Sequence, residues 1–155
     1  MKIRGILVGV ASVALLTLTV CAAEKIKLEG IKCAMNPKKA AKAEKSFAYK
    51  GGKVFFCCDN CCKGFAKKIK DKDELATAKG NAQLVATGQA KQAKCVFTGG
   101  PLKTKLTVAG ATIQFCCNNC KGKAEKLTGD KQLLALIGDA AFKKGGFKVG
   151  KEKKN

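Results

Sequence analysis

One block of sequence occurs twice in this chain, and the repeat constrains the fold more than any other feature. A slide of 59 positions lays Gly51-Gly-Lys-Val-Phe-Phe-Cys-Cys-Asp-Asn-Cys61 over Gly110-Ala-Thr-Ile-Gln-Phe-Cys-Cys-Asn-Asn-Cys120, with six of eleven residues identical. Upstream of each block stands a lone cysteine: Cys33 lies 24 positions before Cys57, and Cys95 lies 21 before Cys116. The two spacings differ by a three-residue loop. Pro37 and Pro101 follow the lone cysteines, as expected where a turn follows a knuckle. The chain is therefore built from two copies of one small unit. A domain below about 70 residues rarely buries enough apolar area to stand unaided, so each copy needs a staple.

The units are legible as a hairpin followed by a helix. In the first, Ser46 to Lys50 alternates, Gly51-Gly52 offers positive φ for a tight turn, and Lys53 to Cys57 is rich in strand formers. In the second, Leu106 to Val108, Ala109-Gly110 and Thr112 to Cys116 give strand, turn and strand. Asp59-Asn60 and Asn118-Asn119 are expected to cap helices over 61–70 and 120–127. A short helix is expected over 71–80 and a strand over 83–86. An amphipathic closing helix is expected over 130–144, with Leu133, Leu134, Ile137 and Phe142 inward. Phe56, Phe115, Tyr49 and Phe65 read as small cores beneath each cysteine set, and Phe142 and Phe147 as cover for the second unit. The expected class is α+β: two tandem units, 24–90 and 91–148, and a disordered basic tail at 149–155.

The first 23 residues read as a leader outside the fold. A basic start, Met1-Lys-Ile-Arg4, precedes an uncharged run from Gly5 to Ala23, and the first acid is Glu24. This is a secretory signal pattern with cleavage near Ala22 or Ala23. Lipidation at Cys21 and an uncleaved anchor are the alternatives, and only these two bring a membrane into play. Every version places the remainder in the periplasm or outside the cell.

The formal charge of the chain is +20, and its only Arg, Arg4, falls in that leader. Base and phosphate recognition leans on the planar guanidinium, so sequence-specific nucleic-acid binding is not expected. The Lys-rich surface reads as a solubilising face that can attract an acidic partner or polyanion. The chain has no His. That removes Ser-His-Asp and Cys-His catalysis and every zinc site that needs imidazole. The expectation is a non-enzymatic protein, with whatever chemistry it has carried by thiols.

Eight of the ten cysteines fall into two matched sets: Cys33, Cys57, Cys58 and Cys61, and Cys95, Cys116, Cys117 and Cys120. A turn, a strand end and a first helical turn converging in this way gather thiolates from three directions, as in small zinc-stapled folds. Sulfur ligands without imidazole favour Zn(II), Cu(I) or iron in an iron–sulfur setting, and exclude hard ions. Cys62 has no counterpart in the second unit and reads as free or merely packed. Two alternatives stand beside metal ligation. Exported small domains are commonly stapled by disulfides. Cys58-Asp-Asn-Cys61 and Cys117-Asn-Asn-Cys120 are also C-x-x-C motifs, the mark of thiol redox proteins, although the chain offers no βαβ context for them.

The segments KCAMNP…YKGGKVFFCCDNCCKGF and KCVFTGGP…VAGATIQFCCNNCKGK resemble the YHS and TRASH-type domains, over about residues 31–70 and 93–128. The resemblance implies treble-clef-like modules. It also implies ligands at an early Cys and a later C-x-x-x-C pair: Cys33 with Cys57 and Cys61, and Cys95 with Cys116 and Cys120. Relatives of this type are associated with heavy-metal sensing, transport and resistance, notably of copper. A treble clef normally carries a second knuckle cysteine, but Asn36 or Thr98 stands there in this chain. The fourth ligand is then Cys58 or Cys117, an exogenous group, or absent. The expected function is sequestration or homeostasis of Zn or Cu(I).

Overall fold

A computed structural model describes residues 26–150. The leader, the cysteine within it and residues 151–155 lie outside the described residues. The class is α+β, and each repeat forms a hairpin followed by a helix.

In the first repeat β1 (Lys42–Tyr49) pairs antiparallel with β2 (Gly52–Phe56), and α1 (Asp59–Lys70) follows. In the second, β4 (Thr104–Val108) pairs with β5 (Ala111–Phe115), and α3 (Asn118–Glu125) follows. Both hairpins close through two residues with positive φ: Lys50 (50°) with Gly51 (87°), and Ala109 (49°) with Gly110 (79°). Such turns match the right-handed twist of the strands they join. The first turn sits one residue earlier than the Gly51-Gly52 expectation. Gly52 opens β2 instead, where a Cβ would meet the Gln89 and Leu84 side chains at 2.8 and 2.9 Å.

Between the repeats runs α2 (Glu74–Ala86), continuously buried from Gly80 to Leu84. It packs against β2 and β5, and against α4 (Gly129–Ile137) and α5 (Asp139–Lys144). The expected strand over 83–86 is absent, because the helix does not stop at Gly80. A Cβ at that position would lie 2.8 Å from Phe65 Cζ and 3.0 Å from Tyr49 Cε1. Glycine there permits close approach and does not terminate the helix.

The closing helix also departs from expectation, since Gly138 divides it. Its backbone is extended (φ −55°, ψ 169°), and a Cβ would meet the Leu134 carbonyl at 2.5 Å. Leu133, Ile137 and Phe142 face inward as expected, but Leu136 is fully buried where Leu134 is only partly so. Phe142 stacks on Phe147 at 4.7 Å. A short pair, β3 (Ala90–Lys91) with β6 (Lys148–Val149), brings the chain after the second repeat back to the segment before it.

Buried side chains from both repeats form one hydrophobic cluster. Phe65, Phe56 and Phe115 are wholly buried, and Tyr49 is nearly so. Phe65 meets the rings of Phe47, Tyr49 and Phe56 at 5.9, 5.6 and 5.2 Å. Asn81, fully buried, ties the layers together: the Tyr49 hydroxyl donates to its Oδ1 (3.3 Å), and its Nδ2 donates to the Ile137 carbonyl (2.9 Å). A buried amide is tolerated when both of its ends are paired in this way.

Candidate metal centres

Three elements deliver one thiol each to a common point, twice. In the first repeat Cys33 comes from a knuckle closed by hydrogen bonds from Cys33 N–H to the Lys39 carbonyl (2.9 Å) and from Lys39 N–H to the Asn36 carbonyl (3.1 Å). Cys57 follows the last residue of β2, and Cys61 is the third residue of α1. In the second, Cys95 N–H donates to the Gly100 carbonyl (2.9 Å), Cys116 follows β5, and Cys120 is the third residue of α3. The sulfurs of Cys33, Cys57 and Cys61 all lie within 4.8 Å of one another, as do those of Cys95, Cys116 and Cys120. Either triad could hold a metal ion.

The spacing within each triad is informative. Cys57 and Cys61 Sγ are 3.7 Å apart, and Cys116 and Cys120 Sγ are 3.6 Å apart. A tetrahedral ion with metal–sulfur bonds of about 2.3 Å sets its ligand sulfurs roughly 3.8 Å apart. A disulfide needs about 2.05 Å. All nine described cysteines are free thiols.

The electrostatics of the two knuckles are those of thiolate cradles. Burial opposes ionisation of Cys95, but the backbone N–H and hydroxyl of Thr98 and the N–H groups of Cys116 and Phe97 outweigh it, and its pKa falls to about 6. At Cys33 the same contest, with N–H groups of Cys57, Met35 and Asn36 opposing burial, also ends below the usual thiol value. Cys61 and Cys120 behave oppositely. Burial first, and then the neighbouring thiols, push each up to about 12. Within each triad the surroundings favour the thiolate at the knuckle cysteine and oppose it at Cys61 or Cys120.

Each of the remaining sequence-predicted ligands stands beside its triad. Cys58 and Cys117 are exposed and occupy the N-cap positions of α1 and α3, so the capping expected of Asp59-Asn60 and Asn118-Asn119 falls one residue earlier. Their sulfurs lie 3.7 Å from Cys57 and Cys116, outside the mutually close groups of three. Neither makes a full cap hydrogen bond. The amides of Cys61 and Asn60, and of Cys120 and Asn119, nevertheless favour their thiolates. Cys62 turns away from the site toward the Ser46 carbonyl (3.6 Å), and burial raises its pKa.

Sequence reasoning missed a set of glutamines. Gln83 Nε2 donates to the Lys32 carbonyl (2.8 Å) and the Phe55 carbonyl (2.9 Å), and its Oε1 accepts from Phe55 N–H. Gln92 Nε2 donates to the Lys94 carbonyl and the Gln114 carbonyl (2.8 Å each), and its Oε1 accepts from Gln114 N–H (2.8 Å). Lys32 and Lys94 precede the knuckle cysteines, and Phe55 and Gln114 stand two residues before Cys57 and Cys116. Each amide therefore clamps the knuckle of a triad to its strand. Gln89 grips Lys53 in the same two-handed manner, through its carbonyl (2.8 Å) and N–H (2.7 Å). The sites also differ in one contact. Thr98 Oγ1 lies 3.2 Å from Cys116 Sγ, whereas Asn36 Oδ1 in the first unit accepts from Lys38 N–H.

No protein-family model, no curated protein and no solved structure matches this chain.

Proposed function

We propose that this chain is an exported, non-enzymatic protein that binds two soft or borderline metal ions, Zn(II) or Cu(I), one in each cysteine triad. The observation that carries the reading is the repetition: the same three thiols, from the same three elements, converge within 4.8 Å in both units. A core-filling role gives no reason for sulfur at all three corners twice. Sulfur spacing near 3.7 Å supports ligation over bridging. The ligand sets coincide with those that the resemblance to YHS and TRASH-type domains implies, which supports membership of that group and a role in sequestration or homeostasis. The mechanism is ligation without turnover: amide-stabilised thiolates at Cys33 and Cys95 accept the ion, and the remaining thiols lose their protons as it binds. Lysines on the surface offset the charge of the thiolates and offer a face to acidic partners.

The test is metal content and thiol count on one reduced sample, by elemental analysis and by titration under denaturation. Two equivalents of Zn or Cu are expected. Cys61→Ser and Cys120→Ser are each expected to remove one equivalent, and removal of both equivalents in the double variant completes the assignment. Unchanged stoichiometry in both single variants would refute the reading.

A further inference from the structure

The triads leave a matched pair of thiols unused. Cys58 and Cys117 have nearly the same backbone geometry (φ −160°, ψ 168° and φ −160°, ψ 169°), and both sulfurs stand 3.7 Å from the strand-end cysteine of their triad. Both are exposed, while Cys33 and Cys95, at the far corner of each triad, are 2% and 0% exposed. Cys33 and Cys95 themselves are therefore closed to an incoming ligand, and Cys58 or Cys117 marks an open side of each site. Neither residue is needed to complete the group of three, and neither is needed as an apolar filler at an exposed helix start. Cys62 shows what an uninvolved cysteine does in this fold: it turns to a backbone carbonyl.

We propose that Cys58 and Cys117 are exchange ligands, through which the metal passes between its triad and an external thiol-bearing or chelating acceptor; this rests on the metal-binding reading above. The step is a ligand substitution. A metal–sulfur bond to Cys58 forms as the bond to buried Cys33 breaks. Any proton on Cys58 goes to solvent, and Cys33 is released as the thiolate that its amide cradle holds. No electron moves, and the ion keeps its oxidation state. With the metal displaced toward the open side, acceptor thiolates or chelator nitrogens replace the remaining Cys57 and Cys61 ligands. The second unit works in the same way through Cys117, Cys95, Cys116 and Cys120. The spacing suits the step, since a sulfur pair 3.7 Å apart can share one ion throughout.

The experiment uses the full chain loaded with Zn(II), and in parallel with Cu(I), under argon. Transfer to an excess of a chromophoric chelator is followed by absorbance, and rates are expressed per metal ion bound. Cys58→Ser and Cys117→Ser are each expected to slow one of two kinetic phases by about tenfold, a barrier change of about 1.4 kcal/mol, because a hydroxyl is a poor ligand for a soft ion. The double variant slows both. Unchanged rates per bound ion overturn the proposal. Loss of a metal equivalent in either single variant also overturns it, by making the residue a resident ligand. A wild-type chain that takes up neither ion refutes the metal-binding reading itself, and this proposal falls with it. The failures are distinguishable because the first two leave a metal-loaded wild type.

Discussion

The two glutamine clamps make the same three hydrogen bonds in different surroundings, which permits a prediction worked from burial alone. Gln83 is 5% exposed, and its contacts with Phe55 are buried. Gln83→Ala removes three bonds worth about 1 kcal/mol each. It also leaves the Phe55 N–H and the Lys32 carbonyl short of partners in a place that water reaches poorly, which adds up to about 1 kcal/mol for each of the two, while the Phe55 carbonyl keeps the Ala34 N–H (3.4 Å). The total is about 3–5 kcal/mol, a large share of the roughly 5–15 kcal/mol that holds a small domain folded. Gln92 makes its three bonds in an exposed setting. Water can replace the lost amide there, so Gln92→Ala is expected to cost only about 1 kcal/mol. Urea unfolding of the two variants, at constant slope, measures the difference directly. Gln83→Glu is expected to fail as a rescue, because a carboxylate accepts from Phe55 N–H but donates to neither carbonyl and must be buried. Equal losses in the two alanine variants, or a larger loss at Gln92, would refute the reasoning, since burial is the only term that separates them.

Two further predictions concern packing and burial. Gly80→Ala is expected to destabilise by about 1–3 kcal/mol through overpacking against Phe65 and Tyr49, despite a gain of about 1 kcal/mol in helix propensity. Gly64→Ala in α1, where a Cβ meets nothing within 4 Å, is expected to stabilise by about 0.5–1 kcal/mol, and a thermal melt of each variant checks the opposite signs. Burial first raises the Tyr49 pKa to about 12, with Asp139 adding to the rise and Thr77 opposing it. The neutral phenol is therefore the form the fold accepts. Its contribution is intact below the unfolded value of about 10 and is lost as pH climbs from 10 to 12, by roughly 2–3 kcal/mol. Tyr49→Phe, unfolded in urea across that range, is expected to fall less steeply than wild type. Parallel curves would exclude this origin of alkaline lability.

What was legible in the sequence is what local chemistry dictates. The turn at Ala109-Gly110, the strand formers before Cys57 and Cys116, and the aromatic residues beneath them appear where side-chain type predicts them, and the first turn falls one residue early because the non-glycine Lys50 takes a positive φ. What was not legible depends on tertiary neighbours. Gly80 has the local signature of a helix stop, and only the rings of Phe65 and Tyr49 turn it into a contact point. Gly138 reads as tolerable inside an amphipathic helix, and only its geometry against the Leu134 carbonyl makes it a break. Leu136 takes the fully buried place expected of Leu134 on α4, the helix that packs against α2.

The clamps were hidden by the repeat itself. Sliding by 59 positions carries Phe55 onto Gln114, so the clamped residues are equivalent, but it carries Gln83 onto Phe142 and brings Gln92 back onto Cys33. The glutamines are thus not copies of one another. What repeats is the requirement. A two-stranded hairpin leaves one edge of β2 and of β5 with free N–H and carbonyl groups, and near a cluster of thiols that edge must be held at a fixed distance from the knuckle. A primary amide presents one donor face and one acceptor, so it can pair with an edge residue as a neighbouring strand would. Helix α2 passes the first hairpin and supplies Gln83, whereas the segment leading into the second unit supplies Gln92. Two unrelated stretches of chain therefore converge on one solution. A comparison of the repeats residue by residue cannot find that convergence, because the shared feature lies in the backbone that must be satisfied and not in the residue that satisfies it.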